Sequence, residues 1–318
     1  MNGDVPGREE NFPAAERTPE LSIVMVGWNT RAFLEPCLES IYLAGLQTSF
    51  EVIVVDNASI DGSQDLVRRR FPQVRLLENR VNTGFAEASN QGAREARGDF
   101  VLLLNSDTLV NAPSLDALVE FMRQTPDAGA AGGKLLNPDG SFQGAYAEFS
   151  CLAQELLIAL RVGAILWPGY PSHKSAEAVT PVDWLSAACL MVRRRVFTEL
   201  GYLDNEYFMY GEEVDLEFRM KRAGWKVYYL PHVYTVHYGG GSQDRWRRRK
   251  MVYRGKILFY RKHYGRVREF FLRALFGAIS LVKLLLWATV CVVPRGMRRA
   301  GKEMQSNGEV LQLCLWVR

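Results

Sequence analysis

Little in this chain is built for cross-linking or export. The five cysteines (Cys37, Cys151, Cys189, Cys291 and Cys314) are odd in number, scattered, and form no C-x-x-C pair. A disulfide framework and a cysteine-based zinc site are both disfavoured, and a reducing compartment fits. The first 20 residues lack any apolar run. Pro6, Pro13 and Pro19 punctuate a polar stretch expected to be a loose tail, not a signal peptide. Three familiar site patterns are also missing. No G-x-G-x-x-G follows the first strand, which disfavours a dinucleotide-binding Rossmann domain. The absence of G-x-x-x-x-G-K-[ST] removes the P-loop enzymes, and the absence of G-x-S-x-G removes the usual hydrolase elbow. No internal repeat or low-complexity tract occurs.

Acid is what the C-terminal part lacks. Between residues 245 and 302 there are 17 Lys/Arg and one acid, Glu269, a local charge of +16. The rest of the chain holds 22 basic and 34 acidic residues, so an acidic body carries a strongly basic segment. What remains is globular in proportion, with 318 residues, 48% hydrophobic, 11% aromatic and 23% charged. Disordered, collagenous and repeat classes are excluded, and the length allows one large domain or two small ones.

From residue 21 the pattern is strand, turn, helix, repeated. Apolar runs at 21–26, 51–55, 74–77 and 100–104 predict buried strands, with helices to about residue 43, over 64–70 and over 84–97. Continuous apolar strands alternating with amphipathic helices imply an α/β fold with a mostly parallel sheet covered on both faces. Ligands of such sheets bind beyond the carboxyl ends of the strands, where Asn29, Asp56 and Asp107 fall. Further on, 152–166 predicts a helix in a groove, 181–192 a return strand, 212–223 a helix and 225–230 another strand. Residues 274–293 are apolar enough to span a bilayer. However, Lys283 sits near the centre and Lys or Arg flanks both ends. A helix lying in the headgroup region on anionic lipid is the favoured reading, and a helix packed on the body is the alternative.

Acids and amides on loops carry the candidate chemistry. Asp56 at a strand end suits a base N–H or a ribose hydroxyl, as it would suit a turn cap. Asn82 and Gly84, at the start of a helix, place amides where a phosphate would be favoured, although a plain helix start looks similar. Asn105-Ser106-Asp107 at a strand end offers oxygen ligands for Mg²⁺ or Mn²⁺, or a capping role. Glu212, Glu213 and Asp215 crowd the start of one helix beside Tyr207, Phe208 and Tyr210, where a carboxylate could serve as general base or merely complement the helix dipole. His237, before Tyr238-Gly239-Gly240-Gly241-Ser242, is expected to lie in a flexible glycine loop.

Taken together, 22–242 resembles the family 2 inverting glycosyltransferases of GT-A fold, above all rhamnosyltransferase-like members. The matching text is S-I-V-M-V-G-W-N (22–29), V-V-D-N-A-S-I-D-G-S (54–63), N-x-x-N-x-G-F-A (79–86) and L-L-L-N-S-D-T (102–108). It continues with D-W-L-S-A-A-C-L (183–190), F-M-Y-G-E-E-V-D-L (208–216) and H-Y-G-G-G-S (237–242). The resemblance implies a donor nucleotide site at Asn29, Asp56, Asn82, Gly84 and Asn105, and a Mg²⁺ or Mn²⁺ site at Asp107 and His237. It also implies Glu213 as catalytic base, with Trp184, Glu212 and Asp215 near the sugar and acceptor. Two departures stand out. The first Asp of the D-x-D motif is Asn105, and the base, usually Asp, is Glu213, with Glu212 and Asp215 as alternatives.

The implied partners are a nucleotide-diphosphate sugar, a glycan or lipid-linked acceptor and an anionic membrane surface at the cytoplasmic face of the inner (plasma) membrane. Oligomeric state stays open. The implied layout is a tail at 1–20, a GT-A domain at 21–244, a basic membrane-associating helical segment at 245–302 and a tail at 303–318. Rival readings are a nucleotidyltransferase, which would need a basic Gly-rich loop where Gly27-Trp28-Asn29-Thr30 stands, and a non-catalytic glycan binder. A nucleic-acid binder using the aromatic-interleaved 245–268 stretch would leave the carboxylates unexplained, so nucleic acid is not an expected partner.

Overall fold

The computed structural model describes residues 18–160, 162, 175–239, 245–290 and 297–315. Most of the N-terminal tail, Trp167-Pro168-Gly169, Gly240-Gly241-Ser242 and residues 291–293 of the apolar run lie outside the described residues.

The first half follows the predicted alternation: β1 (Leu21–Gly27), α1 (Arg31–Leu43), β2 (Phe50–Asp56), α2 (Ser63–Arg70), β3 (Arg75–Glu78), α3 (Phe85–Glu95) and β4 (Phe100–Asn105). β1 is apolar apart from Ser22 because both faces are covered, and Leu21, Ile23 and Met25 are fully buried. It pairs in parallel with β2 and β4, in a register that aligns Gly27 with Asp56 and Val26 with Asn105. The polar carboxyl ends of these three strands therefore form one rim. Each buried Leu, Ile, Val or Met side chain in this layer contributes about 1.5–3 kcal/mol.

β5 (Thr108–Leu109) follows at once, then α4 (Ala112–Gln124), whose N-terminus is capped by Asn111 Oδ1 accepting from Ser114 N at 3.0 Å. β6 (Ala128–Leu136), β7 (Phe142–Gln143), β8 (Tyr146–Ala147) and α5 (Leu152–Ala159) come next. The return strand expected over 181–192 is three pieces: β9 (Thr180–Val182), β10 (Trp184–Leu185) and β11 (Cys189–Arg193). β9 pairs with the later strand β12 (Lys226–His237), β10 with β8, and β11 with β4 and β6. A single apolar run concealed these partners, because periodicity does not report where a chain changes neighbours. Between β11 and β12 lie α6 (Arg194–Glu199) and α7 (Glu212–Arg222). The main sheet runs β3-β2-β1-β4-β11-β6-β12-β5.

Sequence patterning is weakest at the C-terminus. α8 (Arg245–Phe259), a π-helical stretch (Tyr260–Tyr264), α9 (Gly265–Val290) and α10 (Met297–Leu315) follow β12. Two expectations are corrected here. Residues 303–315 are helical, not a tail, with Glu303, Ser306 and Asn307 buried against neighbouring helices. Nor does the catalytic unit end at residue 244. Ile257, Phe259, Tyr260, Leu272 and Phe276 form a second apolar cluster into which Phe149, Leu152, Val214 and Phe218 of the body pack.

Candidate active site

Two adjoining cavities open at the carboxyl rim of the sheet. The first, about 630 Å³, is lined by Trp28, Asn57, Asn82, Gly84, Asp107 and His237 among others. The second, about 320 Å³, is lined by Trp184, Ser186, Glu212, Glu213, Lys256 and Tyr260 among others. Asn105, Tyr210, His237 and Arg248 border both, so the two form one bipartite cleft.

Asp107 and His237, distant in sequence, meet because β5 pairs with the end of β12, placing His237 opposite Thr108. His237 is thus the last residue of a strand, a correction to its expected place in a flexible loop. The backbone N–H of Tyr238 also donates to the Asp107 carbonyl at 2.9 Å. Gln143 Nε2 bonds Asn137 Oδ1 at 3.0 Å, which orients Gln143 Oε1 toward His237 Nδ1, 2.6 Å away. With Nδ1–H so engaged, Nε2 presents its lone pair at 3.3 Å from Asp107 Oδ1 and 3.4 Å from the Asn105 amide. An imidazole oriented through its other nitrogen, beside a carboxylate, is a fitting donor set for a divalent cation. Among the described residues no third His, Cys, Asp or Glu completes a cluster.

The amides form a braced wall. Asn57, 2% exposed, donates from Nδ2 to Asn82 Oδ1 (2.9 Å) and to the Gly84 carbonyl (3.1 Å). Its Oδ1 accepts from Asn79 Nδ2 and from Thr83 N, each at 3.0 Å. Gly84 adopts φ +87°, and a Cβ there would stand 2.5 Å from the Phe208 carbonyl oxygen, so glycine is required on both counts. Asn57 was overlooked in the sequence; its place after Asp56 in D-N-A-S was the only signal. Asp56 is 1% exposed. Its Oδ1 accepts from Ser59 N (2.9 Å) and Gln64 Nε2 (2.7 Å), and its buried Oδ2 has no partner among the described residues. Such an oxygen is costly to leave unpaired. Asn29 is not on the cleft wall. It lies exposed at φ +53°, its Oδ1 accepting from Ile60 N at 2.8 Å, and so braces two loops while Trp28 and Thr30 line the cleft.

Two glutamates, Glu212 and Glu213, line the second cavity. Glu212 is 3% exposed, and its Oε2 has no partner among the described residues. Burial, then repulsion from Glu213, pushes its carboxyl well above the ordinary range. Glu213 is also raised by burial, and its Oε2 accepts from Gly211 N at 3.1 Å. Glu217, one turn on and missed in the sequence, is fully buried, with both oxygens accepting from Leu185 N (3.0 and 3.1 Å). It thereby fastens α7 to the strand carrying Trp184, whose indole N–H donates to the Glu148 carbonyl at 3.0 Å. Asp215 is elsewhere. Two residues along a helix turn it roughly 160° away from Glu213. It lies outside both cavities, paired with Arg219 and His263 at 2.7 Å each. Burial would raise its carboxyl, but these hydrogen bonds hold it below the usual range. The expectation that Asp215 meets the acceptor is therefore corrected.

A profile of the family described as glycosyl transferase family 2 matches residues 22–201. Over 245 residues the chain is 33% identical to the N-acetylglucosaminyl-diphospho-decaprenol L-rhamnosyltransferase of Mycobacterium tuberculosis (strain ATCC 25618 / H37Rv), covering 72% of this chain and 79% of that one. The chain belongs to the family 2 glycosyltransferases. This glycosyltransferase is also 24% identical to the low-salt glycan biosynthesis hexosyltransferase Agl10 of Haloferax volcanii over 238 residues, 74% of this chain and 72% of that one. Its GT-A fold is shared with a mannosyltransferase from Pyrobaculum calidifontis solved with GDP-Man and Mn²⁺. There the TM-score is 0.57 at 16% identity, over 95% of this chain and 88% of that one. Glycosyl transfer, not nucleotidyl transfer or passive glycan binding, is the chemistry of the family. The matched stretch ends before Glu213, Asp107's partner His237 and α8, so those rest on the geometry above.

Proposed function

We propose that this glycosyltransferase moves a sugar, rhamnose by likeness to its Mycobacterium relative, from a nucleotide-diphosphate donor to a hydroxyl of a cell-surface glycan or lipid-linked acceptor, inverting the anomeric centre. The observation that carries it is the bipartite cleft, with Asp107 and His237 on one side and the raised carboxyl of Glu213 on the other. The larger cavity suits the donor. Asn82, Gly84 and Asn105 frame the nucleotide-sugar, and Asp56, buried behind Asn57 and lining neither cavity, would serve a base N–H or ribose hydroxyl through the oxygen that has no partner among the described residues.

Mg²⁺ or Mn²⁺ held by Asp107 and His237, with the Asn105 amide alongside, would supply neutralising charge to the diphosphate when bound. Glu213 accepts the proton of the attacking acceptor hydroxyl, a task helped by a carboxylate more basic than usual. Glu212 orients its neighbour, and Trp184 gives the acceptor an apolar wall. One displacement forms the new C–O bond as the old one breaks, on opposite faces of the sugar. The reading is tested by incubating the protein with a panel of nucleotide-diphosphate sugars and lipid-diphosphate or glycan acceptors, with Mg²⁺ or Mn²⁺. Acceptor-dependent release of nucleoside diphosphate is expected for one donor class, and release from none would overturn it.

The membrane surface is proposed on α9. Val267, Phe270, Phe271, Leu281, Val282 and Leu285 are all exposed and recur at helical spacing along one side. The other side is packed, with Glu269 paired to Arg273 (2.8 Å) and Arg249 of α8 paired to Glu303 of α10 (2.8 Å). A spanning α9 would take these charged neighbours into hydrocarbon, at about 2.5–3.5 kcal/mol for each central charge. Lying in the interface with the stripe down avoids that, at the cytoplasmic face of the inner (plasma) membrane. The doubly substituted Phe270→Asp/Leu285→Asp protein should lose flotation with liposomes containing anionic lipid and keep nucleotide binding. Equal flotation of the two proteins would remove the stripe from the membrane account.

A further inference from the structure

Arg248 is the one arginine or lysine lining the donor cavity among the described residues, and it lines the second cavity as well. It belongs to α8, part of the segment whose basic character suggested only a membrane surface. Its side chain is exposed to the cleft and has no carboxylate partner among the described residues. Its guanidinium lies over the Tyr210 ring, 5.4 Å from the centroid, a contact that orients the planar fork. Lys256, the other cation at the second cavity, is already bound to both oxygens of buried Glu155 (2.7 and 2.8 Å).

The position of α8 is fixed from beneath. Tyr210 sits at φ +72° and Gly211 at φ +105°, turning the chain into α7. Gly255 of α8 is pressed so close that a Cβ there would overlap the Tyr210 carbonyl. The turn that presents Glu213 and the helix that presents Arg248 are thus packed as one unit.

We propose that Arg248 binds the donor diphosphate directly and carries part of the leaving-group charge without help from a divalent cation. This rests on the donor reading above. In the transfer step the bond from the anomeric carbon to the diphosphate oxygen breaks and its electron pair stays on that oxygen. The acceptor oxygen forms the new bond, and its proton passes to Glu213. Negative charge grows on the diphosphate, where a guanidinium makes two parallel charge-assisted hydrogen bonds.

The test is calorimetry of UDP, dTDP and GDP, each beside its monophosphate, on the full-length protein in Mg²⁺ and in EDTA. The wild type should bind its preferred diphosphate more tightly than the monophosphate even in EDTA. Arg248→Ala should weaken the diphosphate by about tenfold or more and the monophosphate far less. Arg248→Lys, which keeps the charge and loses the fork, should fall between. Arg254→Ala, on the same helix but outside both cavities, should bind as the wild type does. The proposal falls if Arg248→Ala binds diphosphate in EDTA as tightly as wild type, if Arg254→Ala loses as much, or if the wild type shows no diphosphate preference in EDTA. A wild type that binds no nucleotide even with Mg²⁺ overturns the donor reading itself, and this proposal with it.

Discussion

Glu213→Gln should lower kcat by about 10²–10⁴-fold, the usual contribution of a general base, with donor affinity little changed. Glutamine keeps the size and hydrogen-bonding capacity of the side chain and removes only the proton acceptor. The half-buried carboxyl lies on the second cavity beside Trp184 and is pushed above its ordinary value of 4.5, first by burial. A base must be deprotonated to act, so the rate should fall as pH drops through that raised value. The acidic limb of the kcat profile should therefore stand above the ordinary glutamate range. Glu212→Gln should be milder and should leave that limb nearly in place, because burial raises Glu213, whereas repulsion from Glu213 helps raise Glu212. Initial rates across pH, beside calorimetry of donor binding, separate the two. Near-normal kcat in Glu213→Gln together with loss in Glu212→Gln would move the base by one position.

The second large effect is expected from removing the metal or its carboxylate. Chelation with EDTA should suppress transfer, with recovery on adding Mg²⁺ or Mn²⁺. Asp107→Ala should lose about 10²-fold or more in kcat/KM, since charge neutralisation by a cation is worth several kcal/mol. The side chain is partly exposed at a strand end, so the variant should keep its thermal unfolding profile, and circular dichroism checks this. Undiminished activity in chelator would sink the metal assignment. Residual diphosphate affinity in EDTA would not, because Arg248 supplies a separate positive charge.

Much of the first half was legible in the chain. A strand covered on both faces must be apolar throughout, so 21–26, 51–55 and 100–104 announced a parallel layer, and the rim residues Asp56, Asn105 and Asp107 followed from strand ends. Motif order and spacing carried the family, which the profile over 22–201 then established.

Other features needed the third dimension. Whether His237 belongs to Asp107 depends on a β5–β12 pairing across some 130 residues, and local pattern carries no information about such pairing. Which of three acids faces the acceptor depends on helical phase against a particular neighbour, and this sends Asp215 to Arg219 and His263. The basic C-terminal segment shows the limit most plainly. Its charge and apolar run were visible, yet a run of arginines looks the same whether it faces lipid, solvent or substrate. Only the packing of Gly255 against Tyr210, which brings α8 to the cleft, distinguishes Arg248 from the rest. Composition determined what this chain can bury and what it must expose; the distances between residues remote in sequence, and hence the chemistry at the cleft, were decided by the tertiary structure.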